Sequence, residues 1–423
     1  MIKTIQRIIW VLLCMGLTAC VSGTLTPLHV ASNRATPLPQ QDFQAYIEEV
    51  RTHIRKVTED AGQTISQRAL DWRTPFEWEP PASCDGPTDG RWMRGALFIH
   101  GLSDSPFLMR DVAARFVERC YFVRSILLPG HGTVPGDLLT VKYTDWVEAT
   151  RRAVAGFAGK VQELSLVGFS TGTSLSMHYV LSAASPSEVK IKHLILLAPA
   201  VKPHSKLGLL ANWHKVYSWL IPRGKWLNIY DEKDVVKYES FAKNAGDQFH
   251  LLSRELQGLE KDQPLTIPVF MAVSADDQTI DPAAAREVFC RAQKPRLMLW
   301  YQRPKKEADD APPCDGIVVK SSVFTASHQG ILNFSHLTLP SHPDNAWYGR
   351  GKDRYKNCLE YYDKGRLKEK LELCQDVEKN PENSEVRYGA YIEAYQEKTI
   401  RRLTFNPDFE AMMTAIFTFT GDI

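Results

Sequence analysis

The chain lacks a charge excess. Lys and Arg number 51 against 49 Asp and Glu, leaving a formal net charge of +2 over 423 residues. A nucleic-acid partner needs a basic excess or a basic face, and this balance argues against one. The sequence also lacks an internal repeat, a low-complexity tract, a glycine fingerprint for a dinucleotide and a cysteine spacing suited to zinc. The apolar run at 8–17, IIWVLLCMGL, is too short to span a bilayer as a mature helix. Global disorder is excluded as well, because 44% of residues are hydrophobic and can fill a sizeable core.

What the N-terminus does have is Lys3 and Arg7, then the apolar run, then Leu17-Thr18-Ala19-Cys20. This order resembles the lipobox of bacterial lipoproteins. The resemblance implies that 1–20 is a signal peptide and that Cys20 carries lipid. More than one acyl chain on Cys20 would give a stable membrane anchor. The expected location is the bacterial cell envelope, facing the periplasm. Val21, which is not Asp, favours the outer membrane. Residues 21–41 are rich in Ser, Thr, Pro, Asn and Gln and read as a tether. Helical spacing of apolar residues follows at 43–58, so 21–85 is taken as tether plus N-terminal helical segment. Cys84, Cys120, Cys290, Cys314, Cys358 and Cys374 remain. An even set in an exported chain is compatible with disulfides, but spacing does not choose their pairing.

From residue 95 short continuous apolar runs alternate with helical stretches: GALFI, YFVRSILL, LSLVGF, KHLILL, IPVFMAVS and RLMLWYQ. That pattern predicts an α/β protein with a mostly parallel sheet covered by helices on both faces. Residues 200–262 interrupt it and predict a helical cap inserted over the strand ends. Residues 346–423 predict a helical extension. The main domain is expected over 86–345.

One run ends abruptly in Gly168-Phe169-Ser170-Thr171-Gly172, a G-x-S-x-G stretch between a strand and a helix. Glycines let the strand and helix pass closely, and the serine is left proud of the sheet. The helix N-terminus faces it, and the Thr171 N–H becomes an oxyanion donor. A serine hydroxyl needs an adjacent base, and the base needs an orienting acid. On this fold the chain order is Ser, then acid, then His. The strand-end stretch SADD offers Asp276 and Asp277; beyond it lie His328, His336 and His342. His100 precedes the serine and reads as a turn histidine, as does His131.

These residues resemble the α/β-hydrolase superfamily, near bacterial carboxylesterases and monoacylglycerol lipase-like enzymes. The matching pieces are HGLSDSP (100–106), LPGHG (128–132), GFSTG (168–172), SADDQTID (274–281) and NFSHLTL (333–339). The resemblance implies Ser170 as nucleophile, Asp277 as acid and His336 as base. It implies the Leu102 N–H as the second oxyanion donor. It also implies a small acyl ester as substrate, hydrolysed without metal or cofactor. Ser274 departs from the glycine often found there. Cap aromatics Trp213, Tyr217 and Trp219 either pack or line an acyl pocket. Thioester or amide cleavage on the same triad, and a non-catalytic envelope lipoprotein, are the alternatives.

Overall fold

The computed structural model describes residues 23–182, 189–204, 222–304, 314–324, 330–351 and 387–422, with positions 354, 355, 357, 362, 363, 366 and 367 between the last two. Cys20, His328, Trp213, Tyr217, Trp219, Cys358 and Cys374 lie outside the described residues.

The strands are β1 (Phe76–Trp78), β2 (Trp92–Ile99), β3 (Tyr121–Ile126), β4 (Val161–Phe169), β5 (Lys190–Leu197), β6 (Trp226–Asn228), β7 (Phe241–Ala242), β8 (Val269–Ser274), β9 (Arg296–Gln302) and β10 (Ile317–Ser321). β6 and β7 pair with each other. The other eight form one sheet in the order β1-β3-β2-β4-β5-β8-β9-β10. Every pairing is parallel except β1 with β3. β3 and β8 are buried along their whole length, as expected when both faces of a sheet are covered.

The α-helices among the described residues are α1 (Phe43–Asp60), α2 (Gln67–Arg73), α3 (Arg110–Glu118), α4 (Tyr143–Ala155), α5 (Thr171–Leu181), α6 (Lys243–Asp262), α7 (Pro282–Arg291) and α8 (Phe409–Thr420). Apolar residues of α1, α4, α5, α6 and α7 join one core cluster. Those of α3 and α8 join the second. The two clusters draw on alternate residues of the same strands, Leu97 and Ile99 in one and Ala96 and Phe98 in the other. This is the α/β-hydrolase architecture.

Three segments differ from the sequence pattern. β1 is a short edge strand that no apolar run announces. It is held by Glu77, which pairs with the buried Arg124 of β3 at 2.6 Å. Residues expected as tether lie on the body: Ser32 N–H donates to Asp137 (2.7 Å), and His29 bonds Ser240 (3.0 Å) and meets the Trp226 ring edge-on. Thr36 Oγ1 also accepts the Gly130 N–H (3.1 Å), so a short polar side chain of this segment satisfies a turn of the main domain. The C-terminal extension, expected as helical, has one described α-helix, α8, and a short 3-10 turn at Glu393–Tyr395. A small four-stranded sheet accompanies it: β11 (Tyr362–Asp363), β12 (Arg366–Leu367), β13 (Arg387–Gly389) and β14 (Ile400–Arg402). Its strands are two or three residues long, too short for a period to show in the sequence.

Among the described residues, two disulfides join Cys84 to Cys120 and Cys290 to Cys314. Each closes a loop of a few tens of residues, which restrains the unfolded chain by about 3–4 kcal/mol. Changing Cys84 and Cys120 together to Ser is expected to lower unfolding free energy by about 2–4 kcal/mol in a urea titration. A shift under about 0.5 kcal/mol would contradict that bond's role.

Candidate active site

β4 and α5 meet at Ser170, whose backbone sits at φ 50, ψ −120. That conformation is uncommon for any residue other than glycine and marks a strained turn. Two glycines make it feasible. A Cβ on Gly168 would lie 2.6 Å from the Gly172 backbone, and one on Gly172 would lie 2.0 Å from the Ile99 carbonyl oxygen. The turn is pinned by Ser170 N–H to the Leu197 carbonyl (3.0 Å). Thr173 donates both its N–H (2.8 Å) and its hydroxyl (2.6 Å) to the Ser170 carbonyl.

The structure brings Ser170, His336 and Asp277 into one hydrogen-bonded row. His336 Nε2 lies 2.8 Å from Ser170 Oγ, and His336 Nδ1 lies 2.6 Å from Asp277 Oδ2. Asp277 Oδ1 accepts the N–H groups of Thr279 (2.8 Å) and Ile280 (3.1 Å). A carboxylate accepts only, so Nδ1 must carry the ring proton and Nε2 is free to accept from the serine hydroxyl. All three side chains are buried.

The other candidates lie elsewhere. Asp276 points to Arg303 at 3.0 Å. His342 is at the surface, 3.2 Å from Glu410. His100 and His131 are fully buried, and burial pushes their pKa values down to about 4 and about 3. His100 Nε2 accepts the Leu128 N–H (3.1 Å), so Nδ1–H donates to the Gly101 carbonyl (2.8 Å). A trans peptide places its C=O and N–H on opposite sides. Fixing the Gly101 carbonyl therefore fixes the direction of the Leu102 N–H. Among the described residues, neither the Leu102 N–H nor the Thr171 N–H donates to a protein acceptor. The Thr171 group is one of the orphan donors at the start of α5.

Ser170, Thr171, Leu102 and His336 line a cavity of about 360 Å³. Its apolar wall includes Leu227, Phe241, Phe249 and Ile280, the first three from the segment between 222 and 262. Among the described residues no group of three or more metal-ligating side chains occurs.

Sequence reasoning missed what holds the histidine. Ser274 Oγ donates to the Phe334 carbonyl at 2.8 Å, which ties the acid's strand to the histidine's loop and gives the serine at 274 a use. Ser335 Oγ donates to the Leu403 carbonyl (2.6 Å), and Asn333 Oδ1 accepts the Ala390 N–H (2.8 Å). The C-terminal extension thus braces His336 from outside the main domain. Nothing in the sequence pairs these positions.

Fold and site together define the class: an α/β-hydrolase of the serine-hydrolase kind, with Ser170, His336 and Asp277 in one hydrogen-bonded row. The chain is similar to the family described as serine aminopeptidase, S33, whose model matches residues 94–302. It is also similar to the thermostable monoacylglycerol lipase of Bacillus sp. (strain H-257), 29% identical over 84 residues, which are 20% of this chain. The chain spans about a third (34%) of that curated relative's length. Among solved structures, the Paleococcus ferrophilus monoacylglycerol lipase matches with a TM-score of 0.42 and 14% identity, covering 54% of this chain and 88% of that one. A soluble variant of the Saccharomyces cerevisiae monoglyceride lipase matches with a TM-score of 0.40 and 15% identity, covering 54% and 81%.

Proposed function

We propose that the protein hydrolyses small carboxylic esters through an acyl-enzyme. One observation carries this reading: the unbroken row Ser170–His336–Asp277, at 2.8 and 2.6 Å, at the base of an apolar cavity. Ser170 Oγ attacks the acyl carbon while His336 Nε2 takes its proton. Asp277 stabilises the imidazolium that forms. The Leu102 and Thr171 N–H groups hold the tetrahedral oxyanion. His336 then protonates the leaving alcohol, and a water repeats the steps on the acyl-enzyme. The match to a monoacylglycerol lipase and the apolar wall favour an ester of an acyl chain over an amide. A fluorophosphonate probe should label the wild type and not Ser170→Ala. No Ser170-dependent adduct on folded protein would favour the non-catalytic lipoprotein. Rates on matched esters, thioesters and anilides of graded chain length then separate the enzyme readings.

The second part of the proposal concerns place. Cys20 is read as lipidated, anchoring the protein in the bacterial envelope with its body in the periplasm, more in favour of the outer than the inner membrane. The two disulfides support an oxidising compartment. Cys20→Ala is expected to move the protein from the membrane pellet to the soluble fraction. Retention in the pellet would refute Cys20 as the anchor.

A further inference from the structure

The loop that presents Leu102, residues 100–104, is not held by the sheet alone. Ser103 sits at φ 62, a left-handed conformation that a serine keeps only where its neighbours dictate it. Those neighbours come from the cap. Lys237 Nζ donates to the Leu102 carbonyl (3.2 Å), to Ser103 Oγ (2.9 Å) and to Asp104 Oδ1 (2.8 Å). The next residue, Tyr238, donates its N–H to the Ser103 carbonyl at 2.8 Å. Its hydroxyl accepts the Thr133 N–H at 2.7 Å. An ammonium has three protons, and all three of Lys237 are spent on this loop. The Lys237 side chain is 18% exposed and that of Asp104 3%, so the pair is largely shielded from water. Asp104 in turn lies against Gly101: a Cβ there would come within 2.7 Å of Asp104 Oδ2.

We infer that Lys237 is a positioning residue for the oxyanion hole. Its ammonium, though at the cavity wall, is directed at the Leu102–Asp104 loop. It fixes the carbonyl of Leu102 and the two residues after it, while His100 fixes the carbonyl before it, so the Leu102 N–H is held from both sides. An oxyanion donor is effective only when aimed before the charge develops. The cap therefore contributes to the transition state as well as to the walls of the pocket. This inference rests on the serine-hydrolase reading and assigns the cap a part in it.

The test compares wild type, Lys237→Met, Lys237→Arg and the double variant Lys237→Met/Asp104→Asn, which leaves no buried carboxylate unpaired. The readouts are kcat and KM on a p-nitrophenyl ester and the affinity for a trifluoromethyl ketone that forms a tetrahedral adduct. Lys237→Met and the double variant should lose about 10–100-fold in kcat with KM within about twofold. Affinity for the ketone should fall in parallel. Lys237→Arg should recover most of the rate, since a guanidinium can still donate to the loop. Unchanged kcat in the folded double variant, or a raised KM alone, overturns the role of Lys237 while the hydrolase reading stands. Absence of fluorophosphonate labelling in the wild type overturns the hydrolase reading beneath it.

Discussion

Ser170→Ala is expected to lower kcat by about 10⁴–10⁶-fold, with the protein folded and its unfolding midpoint unchanged. Removing Oγ deletes the proposed nucleophile and one hydrogen bond to His336. His336→Ala should cost about as much. Ser170→Ala/His336→Ala should be no worse than either single change, because the residues act as a unit. Asp277→Asn should cost about 10⁴-fold, since an amide can present its NH₂ to Nδ1 and favour the wrong ring tautomer. His342→Ala and Asp276→Asn serve as the contrast. Both partners of those residues lie off the row, Glu410 and Arg303, and rates should stay within about threefold. The measurement is steady-state turnover of a chromogenic ester. A loss at Asp276 or His342 equal to that at Asp277 or His336 would break the assignment.

Gly172→Ala should damage both the fold and the site. The added methyl would stand 2.0 Å from the Ile99 carbonyl oxygen and 2.9 Å from that of His100, both backbone atoms at the end of a central strand. Neither can rotate away. The strand and α5 must part, and with them the nucleophile turn and the Gly101–Leu102 peptide. We expect a stability loss of about 3 kcal/mol or more in a urea titration, and loss of fluorophosphonate labelling in whatever folds. Gly258→Ala is the counterpart. It is a helix-interior glycine on exposed α6 surface with nothing within 4 Å of a new Cβ, and it should gain about 0.5–1 kcal/mol. Wild-type stability and labelling in Gly172→Ala would mean the close approach at the turn does not exist.

Much of the sheet is legible in the sequence because a parallel strand buried on both faces reads as a near-continuous apolar run, and β2, β4, β5, β8 and β9 each contain one, while β3 interrupts it with the buried Arg124 and Ser125. The site is legible for a related reason. A strained turn needs glycine at the two close approaches, and the order serine, acid, histidine along the chain restricts the candidates to two aspartates and three histidines. The choice within each set came from resemblance. What the sequence does not disclose is held by contacts between distant polar positions. β1 depends on Arg124 and Glu77, the cysteine pairs on the final course of the chain, and the histidine loop on Ala390 and Leu403. Lys237 is equally silent: one lysine in a charged stretch, distinguished only by the carbonyl and the two side chains it meets.

The helix α8 has a consequence for how the molecule comes into being. Its Phe409, Met412, Met413, Ile416 and Phe417 complete the apolar cluster that β2, β3, β8 and α3 begin, and Asp422 beyond it bonds Arg94 and Tyr121. One face of the central sheet therefore stays open until α8 has been made. Until α8 docks, that layer is incomplete, so α3 and the strands beneath it cannot reach their final packing from the preceding part of the chain alone.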